Sequence, residues 1–152
     1  MDMKDEIRIG APVPVVFAAL NDPVVLKDCI PGCEELVKES DTELTAKVSL
    51  RIGPVKAKFS GAVTLDQSGA PNRFSLTGSG NGGIAGFAKG GADVELRAEG
   101  DDTVLTYEAK AEIGGKIAQL GSRLVDSTAK KLSRQFFERF KDVVETADAV
   151  VS

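Results

Sequence analysis

The chain contains no histidine. That absence rules out a Ser-His or Cys-His nucleophile pair, a histidine general base and any histidine metal ligand. Cysteine is scarce as well: two residues cannot build a four-thiolate zinc site. Most common catalytic constellations are thereby missing, and a catalytic reading would rest on carboxylates, Lys, Arg, a thiol or Tyr107, the single tyrosine. The expectation is a protein that is not an enzyme and holds neither metal nor cofactor. No apolar run approaches the roughly 20 residues that cross a bilayer, and no signal-peptide pattern opens the chain. A soluble, cytoplasmic protein is expected. Aromatic residues do not cluster among basic ones and the net charge is −4, which together argue against a nucleic-acid partner.

Proline is sparse and glycine plentiful, at 6 and 16 residues, a balance that suits a sheet with tight turns and bulges. A chain of 152 residues suits one domain. It buries roughly two-thirds of its unfolded surface and needs no disulfide or metal to be stable. The sequence predicts one domain over 1–147 and a frayed tail over 148–152, with no repeat or linker.

Met3 to Ile9 alternates weakly and reads as a first strand. Pro12 and Pro14 stand where a short helix can begin, Asn21-Asp22-Pro23 ends it, and Asp22 can cap a second helix running to about Cys29. Strands follow. Glu34 to Glu39 is short. Leu44 to Ile52 and Val55 to Leu65 alternate apolar and polar residues on either side of a Gly53-Pro54 turn. Asn72 to Thr77, Ala92 to Glu99 and Thr103 to Ile113 complete about six strands after the helices, joined by connections short enough for an antiparallel meander. A long helix then starts after Gly114-Gly115, with Leu120, Leu124, Thr128, Leu132, Phe136 and Phe140 at every fourth position. The fold class is α+β. The helix must bury its apolar face on the sheet, and a groove it only half fills is a cavity.

The inward parity of the strands and the apolar helix face nominate the lining of that cavity. The sheet supplies Leu50, Ile52, Ala57, Phe59, Phe74, Leu76, Val94, Leu96 and Tyr107. The helix supplies Leu120, Gly121, Leu124 and Phe136, with Gly121 leaving room for a ligand. Tyr107 is either core or the one polar contact to a headgroup. Phe137 falls outside the apolar sector of the helix, whereas Gln135 and Arg139 fall within it, either snorkelling to water or serving a ligand. Arg123, Lys130, Arg134 and Lys141 form a basic stripe, either a solvated face or a docking face for anionic lipid or an acidic partner.

Gly80-Asn81-Gly82-Gly83-Ile84-Ala85 matches a G-x-G-x-x-A dinucleotide pattern, but no helix follows it. The better reading is a loop between strands, either a plain connection or a lid in which Ile84 and Phe87 cover the cavity mouth. Cys29 and Cys33 flank Pro31-Gly32 and read as turn and packing residues more readily than as a redox pair.

Several strings resemble the CoxG family of carbon-monoxide dehydrogenase proteins, within the START-like, or SRPBCC, helix-grip superfamily. They are Ile30-Pro31-Gly32-Cys33 followed by Leu36, Gly53-Pro54-Val55 leading to Phe59-Ser60-Gly61, the stretch Gly80 to Gly91, and Gly114-Gly115-Lys116-Ile117-Ala118-Gln119-Leu120-Gly121-Ser122-Arg123-Leu124. The resemblance implies a curved antiparallel sheet gripping the C-terminal helix around an apolar tunnel. It implies an accessory role beside an aerobic molybdenum carbon-monoxide dehydrogenase or a related molybdenum hydroxylase. The implied cargo is a quinone first, and a fatty acid or phospholipid second. The alternative it implies is recruitment of the dehydrogenase to the inner face of the membrane, as a peripheral contact.

Overall fold

The computed structural model describes residues 1–151, and side chains through Asp148. The first strand, β1 (Asp2–Ile9), leads into α1 (Val13–Leu20) and α2 (Pro23–Cys29). Pro12 and Pro14 cost α1 nothing in its first turn, where backbone N–H groups have no helical partner. At α2 the Asp22 carboxylate accepts a hydrogen bond from the Val24 N–H at 2.9 Å, the cap predicted from the sequence. Six strands follow: β2 (Cys33–Lys38), β3 (Glu43–Ile52), β4 (Val55–Asp66), β5 (Arg73–Asn81), β6 (Phe87–Glu99) and β7 (Asp102–Gly114). They form one antiparallel sheet with β1, in the order β1-β7-β6-β5-β4-β3-β2. The last helix, α3, spans Ser122–Val151 and so enters the segment 148–152 expected as a tail; Ser152 lies outside the described residues.

Two boundaries depart from the sequence reading. The long helix does not start after Gly115. Lys116–Leu120 is a single 3-10 segment, and Gly121 breaks the chain at φ +97° before α3 begins. Leu120 and Gly121 therefore precede α3. The second departure is the Gly-rich stretch. Gly80 and Asn81 end β5 and Phe87 to Gly91 begin β6, so only the Gly82–Gly86 turn is loop. Glycine is a weak strand former, but here each residue is held by paired neighbours on both sides: Gly80 opposes Gly61 and Ala88, and Gly90 opposes Gly78 and Ala111.

The core gathers at one end. Ile9 and Leu105 from the sheet, Val16 from α1 and Phe140 and Val144 from α3 are fully or almost fully buried together. A smaller cluster of Leu26, Leu44 and Leu65 continues it under α2, and Phe136 touches both. The Thr103 hydroxyl, buried among apolar groups, donates to the Ala11 carbonyl at 2.7 Å and fixes the chain leaving β1. The C-terminal half of α3 is thus packed down firmly, while Leu124, Val125 and Leu132 of its N-terminal half are only half-buried.

Candidate functional site

The sheet register assigns each strand residue to a face. Leu105 opposes Leu96, Tyr107 opposes Val94, Val94 opposes Phe74 and Leu65 opposes Leu76, so these residues share the face that meets α3. Continuing along the same face toward the other end, the side chains shrink. Ala109 opposes Ala92, Ala111 opposes Gly90, Gly90 opposes Gly78, and Ala88 opposes Gly80, which opposes Gly61. Beyond this small-residue floor, β3 and β4 contribute Leu50, Ile52, Ala57 and Phe59, every one half-buried. Facing them, Leu120 and Leu124 are also half-buried. At this end the α3-facing side of the sheet is thus an apolar trough in outline, floored by small residues and edged by half-buried ones, while the cleft of about 450 Å³ that reaches Gly61 and Gly80 opens on the other face, among Thr45, Lys47, Ser60, Ala62, Ser79 and Lys89.

Glycine contacts divide the floor: a Cβ on Gly90 would stand 2.0 Å from the Lys110 carbonyl oxygen and one on Gly78 3.2 Å from the Ala62 carbonyl oxygen, so close strand approach accounts for those two, whereas Gly80 and Gly61 are open. A Cβ placed on Gly80 would meet nothing nearer than the Ser60 carbonyl at 4.0 Å, and one on Gly61 only the Ser79 carbonyl at 3.4 Å. Neither would touch α3. Three turns meet at the open end of the trough. Gly53 lies so near Leu124 that a Cβ there would stand 2.8 Å from its Cδ2, Gly82 lies under the Phe59 ring, and Gly86 packs on Ile117 and Gly114. These approaches require glycine and seat the β3–β4 hairpin, the Gly82–Gly86 turn and the Lys116–Leu120 segment together.

The residues nominated from the sequence separate into three groups. Leu50, Ile52, Ala57 and Phe59 share the α3-facing side near the β3–β4 hairpin, Leu124 lies against Gly53 of that hairpin, and Leu120 is half-buried in the segment before α3. Phe74, Val94, Leu96, Tyr107 and Phe136 are on the right face but belong to the packed end: Leu96 is 1% exposed, and Phe74 meets Phe17 edge-on at 5.9 Å. Leu76 sits between, against the smaller cluster. Phe87 is the correction. It opposes Gly114 and Asn81 and shares the outer face with Lys89, Asp93 and Glu95, where its ring covers Gly114 and it remains 45% exposed. It cannot reach the trough. Gly121 lies just before α3, where a Cβ would meet nothing within 4 Å and where its φ of +97° is a conformation that favours glycine.

Tyr107 is a core residue. Its ring stacks on Phe137 at 5.2 Å, and its hydroxyl lies 2.6 Å from Ser133 Oγ on α3, so both ends of the side chain are satisfied within the protein. Phe137, expected outside the apolar sector, therefore points inward, while Gln135 and Arg139 are exposed. Arg139 reaches Asp28 of α2 at 2.8 Å. Arg123, Lys130, Arg134 and Lys141 are all exposed, as expected of a stripe. The last three edge a cleft of about 650 Å³ between β1 and α3 that has Met3, Ile7, Tyr107 and Phe137 at its floor.

Neither thiol is activated. Burial pushes Cys29 up to about 11, with the Asp28 carboxylate adding to the effect, and burial also raises Cys33. Both are free thiols, and Cys33 donates to the Glu35 carbonyl at 3.5 Å. A nucleophilic or redox cysteine needs the opposite shift. The dinucleotide pattern likewise lacks its context, since Gly83–Ala85 is one 3-10 turn followed by β6.

Residues 6–145 match the family described as the CoxG subunit of carbon monoxide dehydrogenase. The chain belongs to the CoxG family. Among solved structures, this CoxG-family chain is similar to a conserved protein from Geobacillus kaustophilus, with 28% identity over 97% of each chain and a TM-score of 0.89. It also shares its fold with a START superfamily protein from Mycobacterium smegmatis, at 14% identity, 99% coverage of both chains and a TM-score of 0.64. A STAR-related lipid transfer protein from Xanthomonas axonopodis is similar at 18% identity, over 94% of this chain and 85% of that one, with a TM-score of 0.64. The architecture is thus START-like. No curated protein matches the chain. Among the described residues, no helix is long and apolar enough to cross a membrane.

Sequence reasoning did not place Gly61, Gly78, Gly80 and Gly90 on the α3-facing floor. Their signal was present in the strings Gly78-Ser79-Gly80 and Phe59-Ser60-Gly61, where alternate positions are glycine. Alternation of nothing with a polar residue is not an amphipathic pattern, so it is legible only once the strands are placed.

Proposed function

We propose that this protein is a non-catalytic carrier that holds a hydrophobic small molecule in the trough between the sheet and the N-terminal part of α3. The observation that carries this reading is the pair of open glycines Gly61 and Gly80, in a floor continued by Ala88 and Ala111, beside half-buried Leu50, Ile52, Phe59 and Leu124. A folded chain ordinarily fills its core to crystal-like density. Small residues opposite a helix that does not descend onto them leave apolar surface for a ligand, with burial as the driving force. Family membership supports an accessory role beside a molybdenum carbon-monoxide dehydrogenase or related molybdenum hydroxylase. It also supports a quinone as first choice of cargo, and a fatty acid or phospholipid as second. The setting that fits is the cytoplasm, with peripheral contact at the inner membrane face.

Leu124→Trp tests the reading directly. The indole would enlarge the side chain at the trough mouth, and because the chain has no other tryptophan, its fluorescence would also report any quinone that still enters. The expected result is a folded variant with no loading and no quenching at quinone concentrations that saturate the parent. Loading that persists means that the ligand sits elsewhere.

A second reading rests on the cleft edged by Lys130, Arg134 and Lys141. Lys4, Lys130, Arg134 and Lys141 outnumber Asp2, Asp5 and Glu138 around its partly apolar floor, which suits recruitment of an acidic partner surface, such as a dehydrogenase, with no ligand role. Lys130→Glu with Arg134→Glu separates the two readings: partner capture is lost on the second and ligand loading is retained.

A further inference from the structure

The two ends of the sheet carry opposite charge. The Gly53-Pro54 turn, the Gly82–Gly86 turn and the Lys116–Leu120 segment meet at the open end of the trough. The sequence feeding that end, residues 44–65, 74–92 and 113–125, holds seven cations and no carboxylate. The carboxylates nearest this end are Glu34, Glu35 and Glu112, which pair with Lys58, Lys47 and Lys89 at 3.6, 3.7 and 3.3 Å, and Asp126 near the start of α3. The connections at the opposite, closed end carry Asp41, Asp66, Asp101 and Asp102, and Glu145 and Asp148 of α3 lie beyond Val144, which packs against the same end. Four of the seven cations, Arg51, Lys56, Lys116 and Arg123, form no ion pair among the described residues. Arg51 and Lys56 even stand directly opposite each other across β3 and β4, an unfavourable arrangement unless something anionic meets them. In the middle of this field, at the tip of the Gly82–Gly86 turn, Ile84 is 92% exposed.

We infer that the open end of the trough docks on an anionic lipid surface, with Ile84 inserted among the headgroups and Arg51, Lys56, Lys116 and Arg123 against the lipid phosphates. The charge asymmetry orients the molecule, because the same surface repels the acidic end. The apolar tip distinguishes a membrane from a soluble anion, which would offer Ile84 nothing. This inference rests on the carrier reading, since docking in this pose would let a hydrophobic molecule pass between bilayer and trough without crossing water.

The experiment is flotation of the intact chain with vesicles of phosphatidylcholine containing about a third phosphatidylglycerol, beside pure phosphatidylcholine vesicles. Binding to the anionic vesicles, weakened by salt, is expected. Removing one surface cation costs roughly fivefold, so Arg51→Gln with Lys56→Gln is expected to weaken binding about 25-fold. Ile84→Ser is expected to cost about tenfold. Ile84 packs on nothing, so circular dichroism should find that variant folded. Loading is measured separately, with menaquinone delivered from cyclodextrin, and should be unchanged in these variants. Gly80→Leu should block loading and leave flotation intact, so failure of the carrier reading and failure of docking give different results. Docking is overturned if the chain ignores both vesicles or binds them equally. It is also overturned if flotation follows Lys130 and Arg134 instead of Arg51, Lys56 and Ile84. Loss of capture of an acidic protein by the same variants, with flotation unchanged, overturns it too and assigns the end to that protein.

Discussion

Gly61 of β4 and Gly80 of β5 stand opposite each other on the face of the sheet that looks toward α3, and a Cβ on either would meet no side chain within 4 Å. Neither is needed for backbone conformation, because neither has a positive φ. Gly80→Leu is therefore expected to fold at least as stably as the parent, since a side chain replaces glycine in a strand. It should project into the trough and abolish ligand loading. Urea denaturation and a quinone-binding titration on the same sample check both halves.

The Tyr107 hydroxyl ties β7 to α3 through Ser133 while its ring stacks on Phe137. Tyr107→Phe keeps the stack and removes the hydrogen bond, so a loss of about 1 kcal/mol is expected. Ser133→Ala should cost a similar amount, and the double substitution little more than either alone, because the two changes delete the same interaction. Denaturant midpoints of the three variants test this, with ligand loading unaffected.

Cys29 is 2% exposed, and burial raises its thiol from 9.0 to about 11. A raised folded value means that the native state holds the proton after the unfolded chain has released it. The associated stability is complete below about pH 9 and is lost as pH climbs toward about 11. The loss is on the order of 2–3 kcal/mol. Cys29→Ala should show a shallower fall across that window when unfolding free energy is followed against pH. Alkylation of both thiols at neutral pH should be slow.

Two glycines with positive φ make a contrast. Gly86 has φ +123° and its absent Cβ would lie 2.2 Å from the Gly114 carbonyl oxygen, whereas Gly83 has φ +64° and open space around it. Gly83→Ala should cost about 1 kcal/mol from backbone strain alone. Gly86→Ala must also push the turn away from β7, and a cost of about 2 kcal/mol or more is expected. Thermal melts of the pair measure the difference.

Much of the architecture is legible in the sequence because β3, β4 and the C-terminal half of α3 are amphipathic, and because Asp22-Pro23 is a local helix start. The beginning of α3 is not. Ile117, Leu120 and Leu124 keep an apolar spacing across a 3-10 segment, and the only mark of the break is Gly121. Phe87 is misplaced for a related reason. Read as part of a loop it has no parity, but as the first residue of β6 it falls on the outer face, opposite in parity to Val94 and Leu96. Phe137 turns inward because Tyr107 offers it a stacking partner, something a helical wheel does not contain. The trough itself is written in residues that carry almost no hydrophobic signal, the alternating glycines and alanines of β4 to β7, and becomes visible only when the register lines them up.

The central claim is that the trough carries a hydrophobic cargo. Native mass spectrometry of the protein purified from its own host, followed by solvent extraction, tests it most directly. The account predicts a discrete bound mass that extracts as a quinone or lipid and is absent from Gly80→Leu. A parent protein that is bare, and stays bare after incubation with host lipids, would contradict it.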